Sequence, residues 1–190
     1  MAKPKILIFA GSIRTAALSQ KLAALVAKEI SLLDAEANLI SLADYPMPIY
    51  DGDLEARDGA PESAKKLRRM MHAHRGIFIV TPEYNASIPP LLKNTLDWIS
   101  RAKEPTADPF KGRFFAISST SNGRLGGYRA LMALRQVLEL GLGAHVLPEQ
   151  VAVSEAGQAF DDMGSLKDAR TANFLRASLG RLIAFAECEL

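Results

Sequence analysis

Three short apolar runs, Lys5–Ala10 (KILIFA), Ile77–Thr81 (IFIVT) and Phe114–Ser118 (FFAIS), limit what this chain can fold into more than anything else in it. None alternates apolar with polar residues, so none suits a strand with one wet face. Continuous runs of this length belong to central parallel strands buried on both sides. Each is followed by a polar, glycine- or hydroxyl-bearing segment and then by apolar residues at helical spacing. Recurrence of strand, loop and helix in that order predicts an α/β protein with a parallel sheet. With 190 residues, 48% of them hydrophobic, the chain has the material for one domain, residues 1–190, and its core. No linker, internal repeat or low-complexity tract divides it.

The loops after these runs carry the functional signal. Gly11-Ser12-Ile13-Arg14 joins the first run to a helix with Leu18, Leu22, Leu25 and Val26 on one face. Gly11 permits a sharp turn, Ser12 offers a hydroxyl and Arg14 a guanidinium fork. The helix would aim its N-terminal amides at the same anion, so the segment reads as a phosphate site. Glycine and serine are also ordinary turn residues, and alone the loop leaves both readings open. Thr81-Pro82-Glu83-Tyr84-Asn85-Ala86-Ser87 follows the second run, with Ser87 placed to cap a helix beginning near Ile88-Pro89-Pro90. Its tyrosine and polar groups suit a flat heteroaromatic ring, or else a capped turn. The third run opens into Ser119-Thr120-Ser121-Asn122-Gly123-Arg124-Leu125-Gly126-Gly127, ahead of a helix with Leu131, Leu134 and Leu138 inward. In open α/β sheets, ligands bind beyond the carboxyl ends of the strands, and all three loops would lie there.

The remaining chain fills in the pattern. Ala37–Leu42 reads as a strand, and Tyr45–Gly52 as an irregular loop because of its two prolines. Tyr45, Met47, Ile49 and Tyr50 either cap the core or line a ligand wall. A helix follows Pro61, with Ala64, Leu67 and Met71 in register, His72 and His74 at its end, and Gly76 closing it. No carboxylate or third imidazole is spaced to make those histidines a metal site. Lys93 and Asp97 form an i,i+4 pair, and Trp98 belongs to the core or to a subunit interface. Ala144–Pro148 reads as a fifth strand, Val153–Ser165 as a loop, and Leu166–Cys188 as a closing helix with Phe174, Leu182 and Phe185 inward.

Composition excludes several function classes. The formal net charge is +2 with no basic block, which disfavours nucleic acid as a partner. No apolar stretch reaches the roughly 20 residues of a membrane span, and the first apolar run breaks too early for a secretory signal core. The single cysteine, Cys188, allows no disulfide framework and suggests a reducing cytoplasm. A hydrolase is disfavoured by the lack of a Gly-x-Ser-x-Gly elbow.

Taken together, GSIR at Gly11–Arg14, TPEYN at Thr81–Asn85, LLKNTLDW at Leu91–Trp98 and LGGYRALMALR at Leu125–Arg135 resemble the NADPH-dependent FMN reductase family, over about Lys5 to Val153. The resemblance implies a flavodoxin-like, doubly wound fold: five parallel strands in order 2-1-3-4-5, with helices on both faces. It implies FMN as cofactor and NADPH or NADH as donor, with ping-pong hydride transfer through the flavin to a quinone, azo compound, chromate or free flavin. By position, Ser12, Arg14, Ser19 and Gln20 would hold the FMN phosphate. Pro82, Glu83, Tyr84 and Asn85 would meet the ribityl chain and ring, while Ser119, Ser121, Asn122 and Gly123 would flank the ring's far side. No side chain is assigned as catalytic, and no metal is expected. Relatives commonly carry a hydroxyl where Ala17 stands and asparagine where Ser19 stands, which implies weaker phosphate binding here. A homodimer or homotetramer is implied as well. A flavodoxin-type electron carrier is the alternative, weakened by the near-neutral charge and by Arg14; a non-catalytic flavin or nucleotide sensor also stays open.

Overall fold

The computed structural model describes residues 3–188, so the first two and last two residues of the expected 1–190 domain lie outside the described residues. Five strands, β1 (Lys5–Ala10), β2 (Glu36–Ile40), β3 (Gly76–Pro82), β4 (Phe114–Thr120) and β5 (His145–Val153), form one parallel sheet in the order β2-β1-β3-β4-β5. That is the flavodoxin-like order expected from the resemblance. The helices are α1 (Leu18–Leu32), α2 (Gly52–Asp58), α3 (Glu62–Ala73), α4 (Pro90–Arg101), α5 (Tyr128–Gln136) and α6 (Ala169–Glu187).

Two apolar layers explain why the central runs do not alternate. Ile6, Ile8, Phe78, Val80 and Ala116 point to one face and pack with Leu22, Val26 and Ile30 of α1 and Leu179 and Leu182 of α6. Leu7, Phe9, Ile77, Ile79, Phe115 and Ile117 point to the other, against Leu67, Met71, Leu92, Leu96, Leu131 and Leu134. Side chains alternate across a strand, so a strand covered on both faces must be apolar throughout. Edge strand β2, by contrast, is only partly buried.

Several boundaries differ from the sequence reading, each for a local reason. The second strand stops at Ile40, and Leu42 is buried in a short 3₁₀ turn, Leu42–Asp44. Gly76 does not close α3; it opens β3, where a Cβ would stand 2.4 Å from Ile6 Cδ1. Short helix α2 was not anticipated; Asp51 caps it by accepting a hydrogen bond from the Asp53 amide. α4 begins at Pro90, within the expected Ile88–Pro90 start, but Ser87 pairs with Tyr84 instead of capping it. β5 continues past Pro148, because a register shift against β4 between Phe115 and Ile117 absorbs the residue that has no amide hydrogen. In α6, Leu182 faces inward, but Phe174 and Phe185 are 45% and 42% exposed; Leu175, Leu179 and Ile183 take the buried positions.

The Tyr45–Tyr50 segment caps the core. Trp98, fully buried, donates its indole hydrogen to the Pro48 carbonyl at 2.8 Å and meets the Tyr50 ring edge-on. Asn94 reinforces this by donating to the Pro48 carbonyl and accepting from the Tyr50 amide. Ile49 points to solvent.

Candidate flavin site

The carboxyl ends of β1, β3 and β4 are neighbours, with Ala10 opposite Val80 and Pro82 opposite Thr120. The three polar loops therefore emerge side by side, where doubly wound folds bind nucleotides. The first is fixed by its glycine. The Gly11 amide donates to the Val80 carbonyl at 2.8 Å, and a Cβ on Gly11 would lie 3.0 Å from Leu92 Cδ2. Its φ is not in the left-handed region, so close packing on α4, and not turn geometry, calls for glycine here.

Helix α1, entered from this loop, starts without a side-chain cap: Ala17 stands at its N-cap, and its first turn holds no acidic residue. The Leu18 and Ser19 amides and the helix dipole are thus uncompensated, while the Ala17 and Gln20 amides donate to the Arg14 and Ala17 carbonyls. Ser19, 1% exposed, has a buried hydroxyl with no hydrogen-bond partner. Ser12 is buried, while Arg14 is exposed and its guanidinium makes no hydrogen bond or ion pair among the described residues. Gln20 donates to the Ser12 carbonyl at 2.5 Å, which makes it a brace of the loop. An orphaned hydroxyl, open amides and a free guanidinium together fit a phosphate.

The second loop is a tight reversal. Tyr84 and Ser87 exchange two backbone hydrogen bonds, of 2.9 and 3.0 Å, around Asn85 and Ala86, whose φ angles are 48° and 63°. Positive φ at both central positions is the type I′ geometry, disfavoured for residues with a Cβ. Tyr84 is 42% exposed and Pro82 ends β3.

The third loop is braced from within. Ser119 is fully buried and donates to the Gly126 carbonyl at 2.7 Å, so its hydroxyl faces inward. Gly127, at φ 86°, leaves only 2.9 Å between a notional Cβ and Ser119 Cβ. Ser121 Oγ accepts from the Gly123 amide, and Asn122 Oδ1 accepts from Gly157 across the gap to the segment after β5.

A family model described as NADPH-dependent FMN reductase matches residues 4–158. The chain belongs to the NADPH-dependent FMN reductase family. It is 35% identical to an NAD(P)H-dependent FMN reductase of Pseudomonas aeruginosa, over 94% of this chain and 92% of that one. It is also 33% identical to a quinone reductase of Escherichia coli K12, over 97% and 95% of the two chains. Among solved structures, FerB, a flavoenzyme NAD(P)H:(acceptor) oxidoreductase of Paracoccus denitrificans, superposes with a TM-score of 0.79 at 28% identity, covering 97% of each chain.

Within this FMN reductase fold, one group was not visible from the sequence. Arg129, in the first turn of α5, donates to the Glu83 carboxylate through Nε at 2.8 Å and through Nη2. The Ala130 amide also points at Glu83, at 3.4 Å. The two residues are 46 positions apart, and no pattern in a single sequence links them.

Proposed function

We propose that this FMN reductase is an FMN-dependent NAD(P)H oxidoreductase that passes electrons to a small acceptor of the quinone class, with azo compounds, chromate or free flavin as further acceptors. The observation that carries this reading is the uncapped α1 N-terminus with the partnerless Ser19 hydroxyl, next to the Tyr84–Ser87 turn. Ser12, Arg14 and Ser19, with the α1 amides, would hold the FMN phosphate, and Gln20 keeps their loop in shape. Backbone groups of Pro82–Asn85 and the Tyr84 ring would meet the ribityl chain and ring on one side, and the Ser121–Gly123 backbone on the other. Bound FMN supplies the hydride acceptance from nicotinamide and the delivery of electrons to the acceptor. The protein supplies orientation, one open ring face and polar groups, with no side-chain acid or base.

The assembly proposed is a homodimer or a homotetramer. A groove of about 700 Å³ runs beside the site, with Ile88 and Pro90 on one wall and Ala133, Val137 and Leu140 on the other. Leu140, on the wall of this groove, is 82% exposed, and a large exposed apolar side chain in such a groove suits a subunit contact. The chain is read as one domain acting in a reducing cytoplasm, from its lone cysteine; among the described residues no helix is long and apolar enough to cross a membrane.

Anaerobic mixing of FMN-loaded protein with NADPH and with NADH, followed at the flavin absorption band, tests the reading. Rapid bleaching by either donor is expected. Bound FMN that neither donor bleaches would move the function to a carrier of the flavodoxin type.

A further inference from the structure

The Glu83–Arg129 pair joins two of the three site loops and has a charge balance that bears on a flavin. The Glu83 side chain is 8% exposed, whereas Arg129 is 58% exposed. Glu83 therefore depends on Arg129 and on the 3.4 Å contact from the Ala130 amide for its compensation. Helix α5 has no cap of its own, since Gly127 stands at its N-cap. The Glu83 carboxylate supplies that cap from a different loop, at the end of the helix where a negative charge is favourable. The next residue, Tyr84, begins the reversal in which Asn85 and Ala86 hold left-handed angles. Such a conformation persists only if its surroundings enforce it. A guanidinium that grips one carboxylate oxygen with two of its N–H groups, while the Ala130 amide meets the other oxygen, is a suitable restraint at its entry.

We propose that Arg129 is a positioning residue for the flavin: it fixes the Glu83–Ser87 turn and cancels the Glu83 charge, so that neither charge alone displaces the reduction potential of the bound cofactor. The inference rests on the reading above that this turn lies against FMN. Reduced flavin carries more negative charge than oxidised flavin. An uncompensated carboxylate beside it opposes reduction, and an uncompensated guanidinium favours it.

Spectroelectrochemical titration of FMN-loaded protein tests this through opposite signs. Arg129→Gln is expected to shift the midpoint potential to more negative values, Glu83→Gln to more positive values, and the double variant to return near the parent. Arg129→Lys retains the charge but loses the fork; it is expected to hold the potential close to the parent while weakening FMN binding about tenfold. Shifts of the same sign, or no shift in the single variants, would overturn the proposal, since a merely structural pair would lower stability and FMN affinity in both without opposed potentials. Should Arg129→Gln fail to fold, Glu83→Gln and Arg129→Lys still decide: an unmoved potential in the first, or a displaced one in the second, sinks the idea. Tyr84→Ala separates the two levels. If it alters the visible spectrum of bound FMN while the pair leaves the potential untouched, only this inference fails; an unaltered spectrum removes the turn from the flavin, and the inference falls with that part of the site.

Discussion

Arg14 and Ser19 would serve the same phosphate but differ in what they do for the empty fold. Arg14 is exposed and unpaired among the described residues, so Arg14→Ala should leave thermal stability unchanged and weaken FMN binding by roughly 1.5–3 kcal/mol, the worth of a hydrogen bond to a charged group. Equilibrium dialysis or fluorescence quenching of FMN reads this directly. Ser19 has a buried hydroxyl with no partner, and such a group costs about 1–3 kcal/mol in the empty protein. Ser19→Ala should therefore raise the melting temperature of the FMN-free form and lower the affinity for FMN. A variant that lost stability without FMN would show that the hydroxyl has an internal partner.

Secondary-structure elements carry two further tests. In the Tyr84–Ser87 turn, Ala86 sits at φ 63°, where a Cβ costs about 1–2 kcal/mol and glycine gives back roughly 0.4–1 kcal/mol of that through unfolded-chain entropy. Ala86→Gly should raise stability by about 0.5–1 kcal/mol in denaturant unfolding. At the end of α3, burial holds the His72 pKa below its ordinary 6.5, with Arg113 and Arg68 lowering it further. Arg113 donates to His72 Nδ1 at 2.7 Å, which requires the neutral ring. With a folded value below the unfolded one, the unfolded chain binds more protons as pH falls past 6.5, so stability decreases from there down to the folded value and is then flat. The lowered carboxylates, Glu55, Asp58, Glu62 and Asp168, begin to act only as pH falls through their ordinary values of 4.5 for Glu and 3.8 for Asp. His72→Gln should thus flatten the stability profile just below pH 6.5 and leave the more acidic limb in place.

For the whole molecule, the groove between α4 and α5 bears on assembly. Leu140→Glu would put a charge beside the proposed contact at a position 82% exposed in the single chain, so the fold should be retained while sedimentation velocity shows a smaller species. An unchanged sedimentation coefficient would place the subunit contact elsewhere. Because the groove also contains Ser87 and Ile88, which adjoin the Tyr84–Ser87 turn, loss of the contact should also weaken FMN retention.

Much of this architecture was legible in local pattern. Non-alternating runs such as Ile77–Thr81 can be buried only between two layers, and each polar loop after such a run had to lie at one sheet edge, so the α/β class and the shared edge of the three loops follow from burial and period alone. Where two distant segments meet, local pattern carries no information. Gly76 looks like a helix stop until Ile6 is seen 2.4 Å from where its Cβ would be. Ser119 donates to the Gly126 carbonyl and Gln20 to the Ser12 carbonyl, contacts across the loops that no local pattern shows. Glu83 and Arg129, far apart in the chain, become a pair only because β3 and β4 are neighbours and bring the first turn of α5 beside the turn that follows β3. Backbone preference and apolar spacing act over a few residues and are written locally, whereas which polar atom meets which depends on how the crossovers stack, and only the folded chain decides that.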